Sequence, residues 1–108
     1  MAKTRMPTRV AELVTERAYG ACEYLIRGVC SGRAEHIHHR KISGREHTAS
    51  NCVHICSNCH RYVHANPAEA YRNGWLVKMN YEPSQVPVLR RGEAVLLDNE
   101  GGIHVGNT

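Results

Sequence analysis

Apolar and polar positions change texture three times along this chain. In "MPTRVAELVTERAYG", residues 6–20, Val10, Leu13 and Val14 recur at helical spacing among charged and polar neighbours. Pro7 suits a first turn and Gly20 a stop, which predicts a helix over about residues 5–19. The stretch "CEYLIRGVCSG" then loses all period and carries glycines at 28 and 32, as an irregular knuckle would. From Arg33 to Cys56 the pattern alternates imperfectly, and Ser43-Gly44-Arg45 interrupts it like a loop between two paired strands. A helix is expected from about Ser57, carrying Cys59, His60 and His64. It should restart after Asn66, with Asn66 as N-cap, Pro67 first, Glu69 in the capping-box position and Gly74 closing.

Beyond Gly74 the apolar pieces shorten to "WLVKM", "VPVLR", "AVLLD" and "GIHV", separated by Pro83, Pro87, Gly92 and "DNEGG". These read as one or two short hairpins wrapping back on the domain. The expected architecture is a single small α+β domain over residues 1–108: a core at about 19–77, the N-terminal helix, and a C-terminal β-hairpin extension at 78–108.

Composition sharpens this picture. With 108 residues, no Phe and one Trp, the chain has little material for a large core, and domains of this size often add a disulfide or a metal. Five cysteines cannot all pair within one chain, and Met1 to Arg9 is polar and basic, without the apolar run of a secretion signal. A reducing compartment, the cytoplasm, is therefore expected, where cysteines interspersed with histidines favour metal. Nothing reaches membrane-spanning length. Arg27, Arg33, Arg40, Lys41, Arg45 and Arg61 crowd the histidine and cysteine clusters, while the charged residues after Gly92 are Glu93, Asp98 and Glu100. A basic middle with an acidic tail suits a polyanionic partner; a merely solvated basic surface is the bland alternative.

Two candidate metal sites follow from spacing. Cys56 and Cys59, with two residues between them at a helix start, present two thiolates to one ion, and Cys22 and Cys30 in the knuckle can complete a tetrahedral zinc site. Otherwise Cys22 and Cys30 are unrelated buried thiols. Cys52 is left as a small buried strand residue. His60 and His64, four apart on a helix, project from one face and can hold a divalent ion with positions left open. In a strand His38 and His39 point to opposite sides, so one can join that ion while the other turns to a substrate. Any single histidine is more often a surface or capping group, but their density between His36 and His64 weakens that reading.

Taken together, "HIHHR", "NCVHIC" and "CSNCHRYVH" resemble the HNH nucleases, whose fold is a ββα-metal (treble-clef-like) core. The wider pattern "CE…GVCSGRA…HHR…N…C…CH…HANPAEAY…GWLV", from Tyr19 to Val77, is similar to small HNH proteins of actinobacterial phages. The resemblance implies His39 as general base, His38 as the metal ligand before it, and Asn51 as the residue that orients the base and braces the loop. It implies His60 and His64 as further ligands of the catalytic ion (Mg2+, Mn2+, Ni2+ or Zn2+), and Cys22, Cys30, Cys56 and Cys59 around a structural Zn2+. It also implies a DNA endonuclease or nickase, in some members associated with the phage terminase; whether the protein is a monomer or a homodimer stays open. Arg40, Lys41, Arg45 and Arg61 are the candidate phosphate contacts. The chain departs from the family in offering only Gly44 in the hairpin loop and His38 where many members carry Asp. Glu35-His36 offers a second possible register for the dyad, while His47 and His54 read as structural or surface residues. The alternative function is a zinc-stabilised nucleic-acid-binding module without catalysis.

Overall fold

In the computed structural model, which describes residues 6–42 and 46–105, helix α1 spans Thr8–Ala18. Val14 and Ala18 are fully buried on its apolar stripe, Val10 and Leu13 partly, and the stripe packs on Ala49 and Cys52. The helix closes one residue before the expected glycine: Tyr19 takes the left-handed conformation at φ 55°, and Gly20 follows at φ 82°. Residues 20–35 form the irregular knuckle, held by the backbone bonds Cys22 N–H to Gly32 O and Ala34 N–H to Gly20 O.

Strand β1, His36–His39, pairs antiparallel with β2, Cys52–Ile55, in the register His38 opposite Val53 and His39 opposite Cys52. Helix α2, Ser57–Ala65, follows β2 directly, and α3, Pro67–Arg72, follows α2. Glu35 accepts a hydrogen bond from the Ser57 N–H at 2.9 Å, a carboxylate at the positive end of α2. The expected capping box at α3 does not form. Asn66 makes no side-chain cap; its amide donates to Tyr62 O, while the Glu69 carboxylate takes the Tyr62 hydroxyl at 2.6 Å. The side chains there serve the α2–α3 corner instead.

After a 3-10 turn at Pro83–Gln85 the chain forms a three-stranded antiparallel sheet: β3 (Val88–Arg90), β4 (Glu93–Leu97) and β5 (Ile103–Val105). Of the one or two hairpins expected here, two form, and they share β4. Nor is this segment an appendage, because Val88, Val95 and Leu97 lie in one buried cluster with Tyr24, Val53, Ile55, Val63, Trp75 and Leu76. The molecule is a small α+β fold, and its Cα radius of gyration of 12.8 Å is that of a compact chain of this length. Among the described residues no helix is long and apolar enough to cross a membrane.

Two rings supply the bulk that phenylalanine would bring elsewhere. Tyr24 and Trp75 pack with centroids 5.6 Å apart, and both polar tips are satisfied: Tyr24 Oη donates to Trp75 O, Trp75 Nε1 to Leu89 O. Gly74, at φ 74°, makes the approach possible, since a Cβ there would lie 1.9 Å from Pro87 O.

Glu23, in the knuckle, is fully buried. It takes a bidentate pair of bonds from Arg17 of α1 at 2.7 and 2.9 Å, one from Arg90 of β3 at 2.8 Å, and the His54 N–H of β2. Burial alone would raise its pKa, yet the two guanidiniums and the amide hold it below the ordinary value. Replacing Glu23 with Gln would leave two arginines without their shared counter-charge. Urea unfolding should then report a loss of about 3–5 kcal/mol, and a loss under about 1 kcal/mol would contradict the clamp.

Candidate metal centres

Cys56 is the N-cap of α2, and its sulfur accepts hydrogen bonds from the N–H groups of Cys59 at 3.2 Å and Ser31 at 3.4 Å. Cys22 and Cys30 reach the same point from the knuckle. The four sulfurs lie within 4.8 Å of one another, and the Cys30–Cys56 separation is 3.7 Å. A tetrahedral zinc with Zn–S bonds of about 2.3 Å needs sulfur–sulfur edges of about 3.8 Å, so the group is positioned for an ion such as zinc. All five cysteines are free thiols. Burial pushes the Cys30 thiol up to about 11 and Cys59 higher still. At Cys56 burial acts in the same direction, but the converging N–H groups win and bring it down to about 6. A cation bound among the four sulfurs would displace the remaining thiol protons and tie the knuckle to α2, so metal binding there would add to the stability of this junction. Cys52 stands apart, fully buried in β2 beside Val14.

The second group is His38, His60 and His64, whose ligand nitrogens also lie within 4.8 Å of one another. His60 and His64 present one face of α2, with ring centroids 5.1 Å apart. His38 comes from β1, 5.2 and 5.5 Å from them. His38 Nε2 lies 2.9 Å from Trp75 O. A carbonyl only accepts, so the proton sits on Nε2 and the Nδ1 lone pair is left for a metal. Histidine ligands commonly have their second nitrogen fixed in this way. Burial lowers the His38 pKa to about 3 and burial lowers His60 as well, so both rings are neutral donors near pH 7. Separation, tautomer and protonation state all fit a divalent cation.

His39 borders the same cleft, about 350 Å³, together with His38, His60 and His64. Its Nε2 is 3.1 Å from His47 Nδ1, so His47, expected as a structural or surface residue, is a neighbour of the candidate base. His36 is a neighbour of His60, with their Nδ1 atoms 3.3 Å apart, while Glu35 is occupied at the α2 terminus. Asn51 is fully buried: Oδ1 accepts the Lys41 N–H at 2.8 Å and Nδ2 donates to Glu46 O at 2.9 Å. It braces both sides of the hairpin loop.

The expected phosphate contacts fare differently, and two need correcting. Arg40 is wholly buried and donates to the carbonyls of Ser50, Gly74, Pro83 and Val86 at 2.8–3.1 Å, so it ties the hairpin to later segments and faces no solvent. Burial lowers its pKa to about 10, leaving it charged. Lys41 is 8% exposed, with Nζ bonded to Glu46 at 2.8 Å and to Tyr81 O at 3.0 Å. Its charge is already matched. Arg61 is exposed on α2 and bonds Asn58, but it lines a shallow cavity beside the knuckle rather than the histidine cleft. Arg45 lies outside the described residues, with Ser43 and Gly44 of the loop.

Comparison with protein-family models, curated proteins and solved structures returned no match.

The two groups should behave as different classes of metal site. Metal analysis of the purified protein should find one tightly held zinc and a second divalent ion that exchanges readily. His60→Ala should weaken the second ion by more than about tenfold while keeping the zinc and the far-ultraviolet spectrum. Cys59→Ala should lose the zinc and the fold together. A second ion retained equally by His60→Ala would contradict the assignment.

Proposed function

We propose that the protein is a metal-dependent DNA endonuclease or nickase of the HNH type, built on a ββα-metal core. The observation that carries this reading is the convergence of His38, His60 and His64 on one cleft, with His39 at its edge. Phosphodiester hydrolysis needs a group to take a proton from water and positive charge beside the phosphorane. His39 accepts the proton as the water oxygen bonds to phosphorus and the P–O3′ bond breaks; the departing 3′-oxygen takes a proton from solvent, which leaves a 5′-phosphate and a 3′-hydroxyl. A divalent ion bound at the three histidines would supply charge stabilisation for the phosphorane and the departing oxygen.

The chain's own groups prepare this arrangement. The Trp75 carbonyl fixes the His38 tautomer, Asn51 holds the loop that carries Glu46 and His47, and His47 lies against His39. Arg61 and Arg45 remain as candidate phosphate contacts, giving affinity without sequence readout. The similarity to small phage proteins extends the proposal to a phage origin and association with terminase.

Supercoiled plasmid incubated with the protein and Mg2+, Mn2+, Ni2+ or Zn2+ should become nicked, and His39→Ala should reduce the rate by roughly 10²- to 10⁴-fold with its zinc retained. A wild-type protein that holds zinc and binds DNA yet cuts nothing with any of these ions is instead the zinc-stabilised binding module.

A further inference from the structure

Four of the exposed large apolar side chains, Ile42, Tyr71, Met79 and Tyr81, gather on one side of the molecule at 41–67% exposure. They border two adjoining cavities, of about 580 and 370 Å³, that share Tyr71, Val77 and Lys78 as lining. Both exceed the histidine cleft, and the second meets that cleft at Ile42, which lines each. Tyr71, Val77 and Lys78 thus link the two cavities, and Ile42 links the second to the cleft of His60 and His64.

The chemistry of the two cavities narrows the occupant. Their charged lining residues are Arg72 and Lys78, with no carboxylate among the described lining residues. Glu82, next to Tyr81, is outside the lining and bonds Ser84 at 3.4 Å. Lys78 Nζ sits 5.5 Å over the Tyr71 ring, which keeps an ammonium at the rim. Tyr81 is held by its backbone, whose carbonyl accepts Lys41 Nζ, and the residue as a whole is 55% exposed. The nearby Glu46 carboxylate is paired with Lys41, and apolar rings next to cations, with no carboxylate among the described lining residues, suit a ligand that alternates flat faces with negative charges. An unpaired polynucleotide strand has that alternation, with bases for the rings and phosphates for the cations. A duplex hides its base faces and gains nothing from Tyr81.

We infer that the Tyr71–Lys78–Tyr81 groove binds unpaired DNA, stacking a base on Tyr81 and leading the strand past Ile42 into the histidine cleft. This rests on the proposed nuclease reading for what happens at the cleft, but the groove's affinity is measurable without cleavage.

Fluorescence anisotropy with a labelled twenty-residue oligothymidine, on zinc-loaded His39→Ala protein without added divalent ions, tests it. Tyr81→Ala should weaken binding roughly five- to 150-fold, with unchanged zinc content and circular dichroism, while Tyr81→Trp retains affinity. Lys78→Ala should lower the salt dependence of log K by about 0.7, one phosphate contact. An oligomer of equal length without bases should bind as weakly to the parent protein as oligothymidine does to Tyr81→Ala. Unchanged oligothymidine affinity in Tyr81→Ala, the result expected of a groove made for a protein partner, would overturn the inference. So would an equal loss for duplex DNA. Plasmid nicking by wild-type protein reports separately: Tyr81-dependent strand binding without nicking leaves the groove and removes the nuclease, whereas nicking with Tyr81-independent binding does the reverse.

Discussion

Four sulfur atoms join the knuckle to the first turn of α2, and the histidine centre depends on that junction. Cys56 ends the link from β2 and caps the helix, so an ion held among the sulfurs would also fix the angle at which α2 leaves the hairpin. His60 lies one residue beyond Cys59 and His64 one turn further. Their distance from His38 on β1 is therefore set by the same few backbone angles. A chain with so few large apolar residues has little else with which to define that crossing, which is the situation in which metal sites commonly supply folding energy. Glu35 adds a smaller contribution, bonding the α2 terminus from the residue before β1.

A second tie comes from the segment after α3. Residues 74–77 run beside the end of β1: Arg40 donates to Gly74 O, the Val77 N–H donates to Arg40 O, and Trp75 O receives both His38 Nε2 and Tyr24 Oη. One carbonyl thus sets the tautomer of a candidate ligand and anchors a core tyrosine. Gly74 is required for the close passage against Pro87, and the three-stranded sheet covers the same core. The segment after α3 therefore contacts the site through main-chain groups at residues 74–77 as well as through the core.

Helical spacing made much of this legible. His60 and His64 share a face because they are four apart, and the Cys56–Cys59 pair reads directly as two ligands at a helix start. Strand alternation also carried a signal about Arg40. It lies two residues beyond His38, hence on the same inward side, and its burial follows from the alternation that turns His39 the other way. Proximity to the histidines in sequence suggested a phosphate contact, whereas the side it faces makes it a strut. Glu23 gave no such sign, since an irregular knuckle has no period and its partners come from positions 17, 54 and 90. His47 was equally hidden, because its approach to His39 depends on the course of the hairpin loop. The acceptor for His38 is a main-chain carbonyl, which no residue type announces.

The central claim is that sulfur ligation brings three imidazoles from two elements around a separate ion. A crystal structure with anomalous difference maps recorded at the zinc and manganese edges, from crystals grown with both metals, tests it most directly. The account predicts one zinc peak among Cys22, Cys30, Cys56 and Cys59, and a second peak bonded to His38 Nδ1, His60 and His64. Density at the sulfurs alone, with His38 turned from His60 so that no ion bridges them, would contradict it.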